Sequence, residues 1–233
     1  MPVFALSEAL VFPPPHLANR QGLLAIGGDL RPARILLAYE KGIFPWYNAG
    51  EPIQWWSPNP RFVLWPADLY VSKSMKQVLR RHTFTLTLDR AFRAVITGCQ
   101  QSPREGQDGT WITPEMLEAY CTLHEMGYAH SAEAWIGDEL VGGLYGISLG
   151  SCFFGESMFA RTSNASKAAF IHLVQHLTLA GFTLVDCQVY TDHLASLGAR
   201  PLPRPEFLQA LAAGLQAPTR RGNWGEGVYG SSV

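Results

Sequence analysis

Two short runs in this chain set polar side chains among apolar ones. In "VDCQV" (185 to 189), Asp186 and Gln188 lie two residues apart on what reads as a strand, so they share one face while Val185, Cys187 and Val189 share the other. About 6–7 Å of backbone separates them, near enough for their side chains to hydrogen-bond or to act on one substrate. A glutamine takes up no proton as an ordinary base, but its carbonyl accepts a hydrogen bond from an attacking amine, and an aspartate beside it can orient its amide. The same pattern fits the wet face of an ordinary strand, and spacing alone does not choose. In "CFFGESMFAR" (152 to 161), Glu156 stands among Phe153, Phe154 and Met158. Burying a lone carboxylate there costs on the order of several kcal/mol unless donors or a cation meet it. Either Glu156 reaches solvent or it awaits a positively charged partner, and Gly155 before it admits a ligand or a second backbone.

Other constellations carry less. His172 and His176 are one helical turn apart, yet HEXXH is absent and no third ligand sits nearby, so core or surface histidines are the better reading. Cys187 with His193 suggests a thiol nucleophile, but Cys187 is expected on the apolar side of its strand, as a buried structural thiol. "AIGGDL" (25 to 30) lacks the spacing of a dinucleotide or Walker loop and reads as a turn before a helix. Trp46, Trp55, Trp56, Trp65 and Trp111 suit a core, although a subset beside a basic patch could stack on bases.

The elements that must position these residues follow from pattern. The first sixty or so residues hold one clear helix, "RPARILLAYEK", with Asp29 as a possible cap and Gly42 as its stop. The prolines and four tryptophans of 42 to 66 leave little room for regular structure after it. From Phe62 the texture changes. Helices are signalled at 72 to 81, at 90 to 100 with Asp89 as cap, and at 114 to 126 with Thr113 as cap and Gly127 as stop. "TFTLTL" reads as a strand, and three more strands follow, turning at Gly137/Asp138 and Gly150, which implies an antiparallel meander. A helix from Ser163 or Asn164 to Gly181, the strand "FTLVDCQV" and helices near 191–197 and 205–215 complete an α+β layout. This element order is that of GNAT acyltransferases. We divide the chain into a small irregular N-terminal domain, 1–62, and a GNAT-like domain with a mixed, largely antiparallel sheet, 63–233.

Composition excludes other classes. The 233 residues are 47% hydrophobic, enough for a core, and no stretch approaches the length of uncharged residues needed to span a bilayer, so a cytoplasmic protein without membrane partners is expected. Cys99, Cys121, Cys152 and Cys187 form no CxxC pair, which suits reduced core thiols; no metal and no organic cofactor is implied. The net charge of −1 argues against a general nucleic-acid coat and against DNA. Even so, 72 to 93 carries Lys73, Lys76, Arg80, Arg81, Arg90 and Arg93 against Asp89 alone, so a basic face is expected there.

The blocks "GLLAIGGDL", "KGIFPWY", "WWSPNPRFVL", "GTWIT", "LVGGLYG", "FFGESMF", "NASK", "DCQV" and "HLASLGA", in this order from about residue 11 to residue 208, resemble the leucyl/phenylalanyl-tRNA–protein transferase family. The resemblance implies transfer of Leu or Phe from aminoacyl-tRNA to the N-terminal Arg or Lys of a protein, marking it for degradation by the N-end rule. It implies Asp186 and Gln188 as the catalytic pair and Glu156 as a substrate-orienting carboxylate. It places Tyr39, Trp46 and Trp111 around the terminal adenosine of the tRNA, and Phe153, Met158 and Leu144 around the transferred side chain, with Gly155 and Ser157 of the same motif in the binding site. Strict alternation sets Phe153 and Met158 on opposite faces, so a distortion at Gly155 is required. The six cations of 73 to 93 become candidates for tRNA phosphates, and a monomer is expected. Two rivals remain. A CoA-dependent acetyltransferase would need a glycine-bearing pyrophosphate loop, and "ARTSNASK" has no glycine. A non-catalytic RNA-binding module leaves Asp186, Gln188 and the GESMF stretch unexplained.

Overall fold

A computed structural model describes residues 3–102 and 111–225. In the N-terminal part, β1 (Phe4–Leu6), β2 (Leu23–Gly27), β3 (Phe44–Pro45) and β4 (Gln54–Trp56) form a sheet in the order β1-β2-β4-β3, with α1 (Pro32–Glu40) between β2 and β3. The stretch expected to be irregular thus holds short strands. Its prolines do not prevent this, because Pro45 lies on an edge strand, where no ladder partner is lost. Trp55 is fully buried between layers, and the Trp56 indole N–H donates to the Trp46 carbonyl at 2.6 Å.

The rest follows the expected order: β5 (Arg61–Leu64), α2 (Lys73–Arg80), β6 (Thr85–Leu88), α3 (Phe92–Gln101), α4 (Pro114–Glu125), β7 (Ala129–Ile136), β8 (Glu139–Leu149), β9 (Cys152–Ala160), α5 (Ala165–Leu179), β10 (Leu184–Gln188), α6 (Asp192–Ala195), β11 (Arg200–Leu202) and α7 (Arg204–Gly214). The sheet runs β11-β5-β10-β9-β8-β7-β6, with β9 and β10 parallel and the other described pairs antiparallel. The fold is α+β, with a mixed sheet and an acyltransferase-like C-terminal part. β5, which straddles residue 62, belongs to this sheet.

Two cores flank the sheet. On one face α5 and α2 bury Met75, Leu144, Phe153, Phe170 and Val185. On the other, α3 and α4 bury Tyr120, Tyr145 and Phe154 in a core that continues through Tyr39 and Trp55 into the N-terminal sheet. Ser72 and Thr113 cap their helices, each hydroxyl accepting from the N–H three residues on. Asp29 and Asp89 do not cap. Asp29 accepts the Arg31 N–H and pairs with Arg31 and Arg34, while Asp89 turns inward with φ 53° to meet β7, so α3 starts only at Phe92. Among the described residues no helix is long and apolar enough to cross a membrane.

Candidate active site

The site lies where β9 and β10 part. Their parallel ladder pairs Leu184 with Cys152, Val185 with Phe153 and Asp186 with Phe154, and then stops, although β9 runs on to Ala160. A side-chain bond spans the gap: the Gln188 amide N–H donates to Glu156 Oε1 at 2.8 Å. Both residues owe their aim to distortions. On β9, Glu156 is the extra residue between the pairs Gly146–Gly155 and Tyr145–Ser157. That bulge brings Phe153 and Met158 to one side, as the distortion expected at Gly155 required, with Met158 opposite Leu144. On β10, Gln188 has φ 64° at a register shift against β5.

Asp186 is wholly buried and does not reach the Gln188 side chain. Its Oδ1 accepts from Arg61 Nε at 2.8 Å and from the Gln188 backbone N–H at 2.9 Å, and its Oδ2 from Arg61 Nη2 at 2.6 Å. The Arg61 guanidinium in turn lies over the rings of Phe44 and Phe207, 4.6 and 4.7 Å from their centroids. Asp186 therefore holds the left-handed turn at Gln188 instead of polarising its amide, and its charge is matched by a buried cation. Sequence reading missed Arg61; an arginine inside the apolar strand "RFVL" was the available signal, since such a cation needs an anion.

Glu156 makes the contact expected of Asp186. Its Oε2 accepts from the Tyr120 hydroxyl at 3.0 Å, and that hydroxyl lies 2.6 Å from the Tyr39 hydroxyl. Burial is the largest influence on Glu156, and with the Asp186 charge it raises the carboxyl from 4.5 to about 7 against the opposing hydrogen bonds of Tyr39, Tyr120 and Gln188. Burial and the neighbouring Glu156 push both tyrosines well above their usual range, so they remain protonated. Tyr39 is completely buried and meets both Tyr120 and Glu156, so it supports Glu156 from the core and faces neither cavity beside it. Tyr120 sits one turn from Met116 on the buried face of α4, so periodicity reads it as core.

A cavity opens on each side of the Glu156–Gln188 bond. The larger, about 370 Å³, is walled by Leu144, Met158, Phe170, Val185 and Leu194, with Gly155, Ser157, Cys187 and His193 also facing it. The smaller, about 100 Å³, lies between Trp46, Trp111, Phe44 and Pro45. Glu156, Gln188 and Val189 line both. Phe153, expected in the pocket, is buried behind the wall instead. Cys187 is packed in the apolar core, as expected, although its edge also borders the larger cavity; burial raises its thiol far above neutrality, so no thiolate nucleophile forms there. No group of three metal-ligating side chains occurs among the described residues. Gly109 and Thr110 of the "GTWIT" block lie outside the described residues.

The six cations do not form one face. Lys73, Lys76, Arg80 and Arg81 are exposed along and just after α2, on the side of the larger cavity's core. Arg93 belongs to α3 on the opposite layer and grips Glu118 with two bonds, at 2.6 and 2.8 Å, while Arg90 lies over the Trp135 ring. Consecutive basic residues were separated by the β6 edge strand between the two helices.

Comparison with known proteins agrees with this architecture. Residues 63–212 match the family model described as leucyl/phenylalanyl-tRNA protein transferase, and residues 28–59 match the model of that family's N-terminal domain. The leucyl/phenylalanyl-tRNA–protein transferase of Syntrophus aciditrophicus is 59% identical over 224 residues, covering 96% of this chain and 94% of its own. That of Myxococcus xanthus is 56% identical over 230 residues, covering 98% of each chain. That of Anaeromyxobacter dehalogenans strain 2CP-C is 57% identical over 224 residues, covering 96% of each.

Proposed function

This chain belongs to the leucyl/phenylalanyl-tRNA protein transferase family, and on that premise we propose that it transfers leucine or phenylalanine, with methionine as a minor donor, to the N-terminal Arg or Lys of acceptor proteins. It is an aminoacyltransferase whose donor is an aminoacyl-tRNA and whose acceptor is a protein. In our reading the enzyme is a cytoplasmic monomer, the division at residue 62 separates its two domains, and the new N-terminus is an N-degron of the N-end rule.

The observation that carries this reading is the Glu156–Gln188 bridge between two unlike cavities. We assign the apolar cavity to the donor side chain and the tryptophan cleft to the terminal adenosine, which sets the ester between them, beside Gln188. Because the Gln188 N–H is taken by Glu156, its Oε1 is free to accept a hydrogen bond from the attacking α-amine. An aminoacyl ester is already activated, and roughly a tenth of α-amines are unprotonated at neutral pH. Alignment then supplies about 7–11 kcal/mol in favourable cases. With Asp186 matched by Arg61, Glu156 is the carboxylate that meets a cationic first residue.

An apolar pocket separates side chains by about 1–3 kcal/mol per methylene, which admits Met, whereas β-branched Val and Ile fit a slot for an unbranched Cβ poorly. The test is transfer of radiolabelled leucine from Leu-tRNA to peptides beginning with Arg or Ala. We expect labelling of the Arg peptide alone, reduced at least 100-fold by Gln188→Ala. Acetyl-CoA binding with no transfer by folded wild-type protein would overturn the reading.

A further inference from the structure

We infer that Glu156 carries the proton of the transfer step: its carboxylate takes a proton from the acceptor α-amine and returns it to the departing adenosine oxygen, held in place by Tyr120 and Tyr39. The inference deepens the proposed function and rests on it. As the amine nitrogen bonds to the ester carbon, one N–H proton passes to Glu156. As the bond from that carbon to the ribose oxygen breaks, the same proton passes to that oxygen. Amine and ester become amide and alcohol, and the carboxylate is regenerated.

Geometry singles out Glu156. Gln188 holds no proton acceptor of useful basicity, and Asp186 is buried with both oxygens engaged by Arg61 and the Gln188 backbone. Glu156 lines both cavities, and its carboxylate meets three donors, Gln188 on Oε1, Tyr120 on Oε2 and the Tyr39 hydroxyl, which leaves one of its four acceptor sites for a proton. The ionisable groups around it are Tyr39 from α1, Tyr120 from α4 and Asp186 from β10, with Tyr145 from β8 packed edge-on against Tyr120 and Arg61 from β5 compensating Asp186. The carboxyl's value of about 7 lies near that of an α-amine, about 7.7–8.0, so the proton crosses between nearly matched partners. The tyrosine donors restrain the rise that burial imposes. Tyr120 and Tyr39 are thus positioning residues.

The experiment is single-turnover transfer from Leu-tRNA to a subsaturating Arg peptide between about pH 5.5 and 8.5. For the wild type, amine and carboxyl must both be deprotonated, so the logarithm of the rate should climb with slope near 2 below about pH 7, near 1 from there to the amine's value of about 7.7–8.0, and level off above it. Glu156→Gln should show a slope of 1 from the lowest pH up to the amine's value of about 7.7–8.0, with no steeper limb, and a rate about 100-fold lower at pH 8. Tyr120→Phe removes a donor to the carboxylate and should move the break to higher pH while largely sparing the rate at pH 8.5; a merely structural role would lower the rate without moving the break. A wild-type slope of 1 below pH 7 overturns the inference and leaves the proposed function standing. Absence of transfer at every pH takes both down.

Discussion

Two regions of the sheet bury carboxylates, and they differ in what surrounds them. Near the β6–β7 edge, Asp89 accepts from the Ser131 and Trp224 N–H groups at 2.8 Å each and pairs with His130 Nδ1 at 2.8 Å. Glu133 beside it accepts from the Thr87 and Ser131 hydroxyls at 2.6 Å each. The Trp224 ring, stacked 3.6 Å from His130, closes this cluster from outside. At the β9–β10 seam Asp186 is as deeply placed, but Glu156 is only partly buried and, with Gln188, faces cavities on both sides. A buried polar cluster does not by itself mark a site. What distinguishes the seam is spare hydrogen-bonding capacity aimed into open space, where a substrate can use it.

The largest expected effects test this difference directly. Arg61→Ala leaves Asp186 charged and unmatched in the core and should cost about 3–5 kcal/mol in urea unfolding, with transfer lost even where the protein stays folded, because the turn at Gln188 is released. Asp89→Ala should cost about 1–3 kcal/mol for each buried donor left unmet, yet leave the transfer rate of the folded protein within about twofold. If Asp89→Ala abolished transfer in folded protein, the two regions would not be functionally distinct.

The same contrast explains what was legible in the sequence. Thr113–Pro114 and Ser72 announced their helices, and alternation announced the meander, because those signals are local. Asp89 and Asp29 misled because an aspartate before a helical pattern looks like a cap whether its carboxylate turns to the helix or to a distant strand. Glu156, Gln188, Trp46 and Trp111, which the motifs singled out, line one cleft, and the bulge at Gly155–Glu156 was demanded by the side chains it had to reconcile. The Arg61–Asp186 pair spans 125 positions in sequence, and the hydroxyl chain from Tyr39 through Tyr120 joins α1 to α4. Nothing local encodes either, since both depend on strand order and helix docking.

The seam's charge should also be visible in stability. The Glu156 carboxyl in the folded protein, at about 7, is raised above its unfolded value of 4.5, so the folded state holds the extra proton between those pH values. Its contribution is fully present below pH 4.5 and is lost as pH rises through 7. At 1.36 kcal/mol per pH unit, wild type should lose on the order of 3 kcal/mol from this group between pH 4.5 and 8. Comparing urea unfolding of wild type and Glu156→Gln across that range isolates the contribution, and parallel stability curves would show that Glu156 is not raised.

The smallest effects separate the two helical layers. The α2 cations share a layer with the apolar cavity: Met75 of α2 lies in the same core as Leu144 and Phe170. Arg93 lies across the sheet, and its guanidinium already holds Glu118. If the tRNA backbone follows α2 toward the ester, neutralising Lys76 should reduce the slope of log affinity against log salt by about 1, the counterion share of one phosphate. Arg93→Ala should leave that slope unchanged, because a cation already paired releases little on meeting a phosphate, and an exposed pair of this kind is worth only about 0–1 kcal/mol to stability. Equal slope changes from both substitutions would mean that the RNA wraps the sheet edge at β6, and the donor would then reach the seam from both layers.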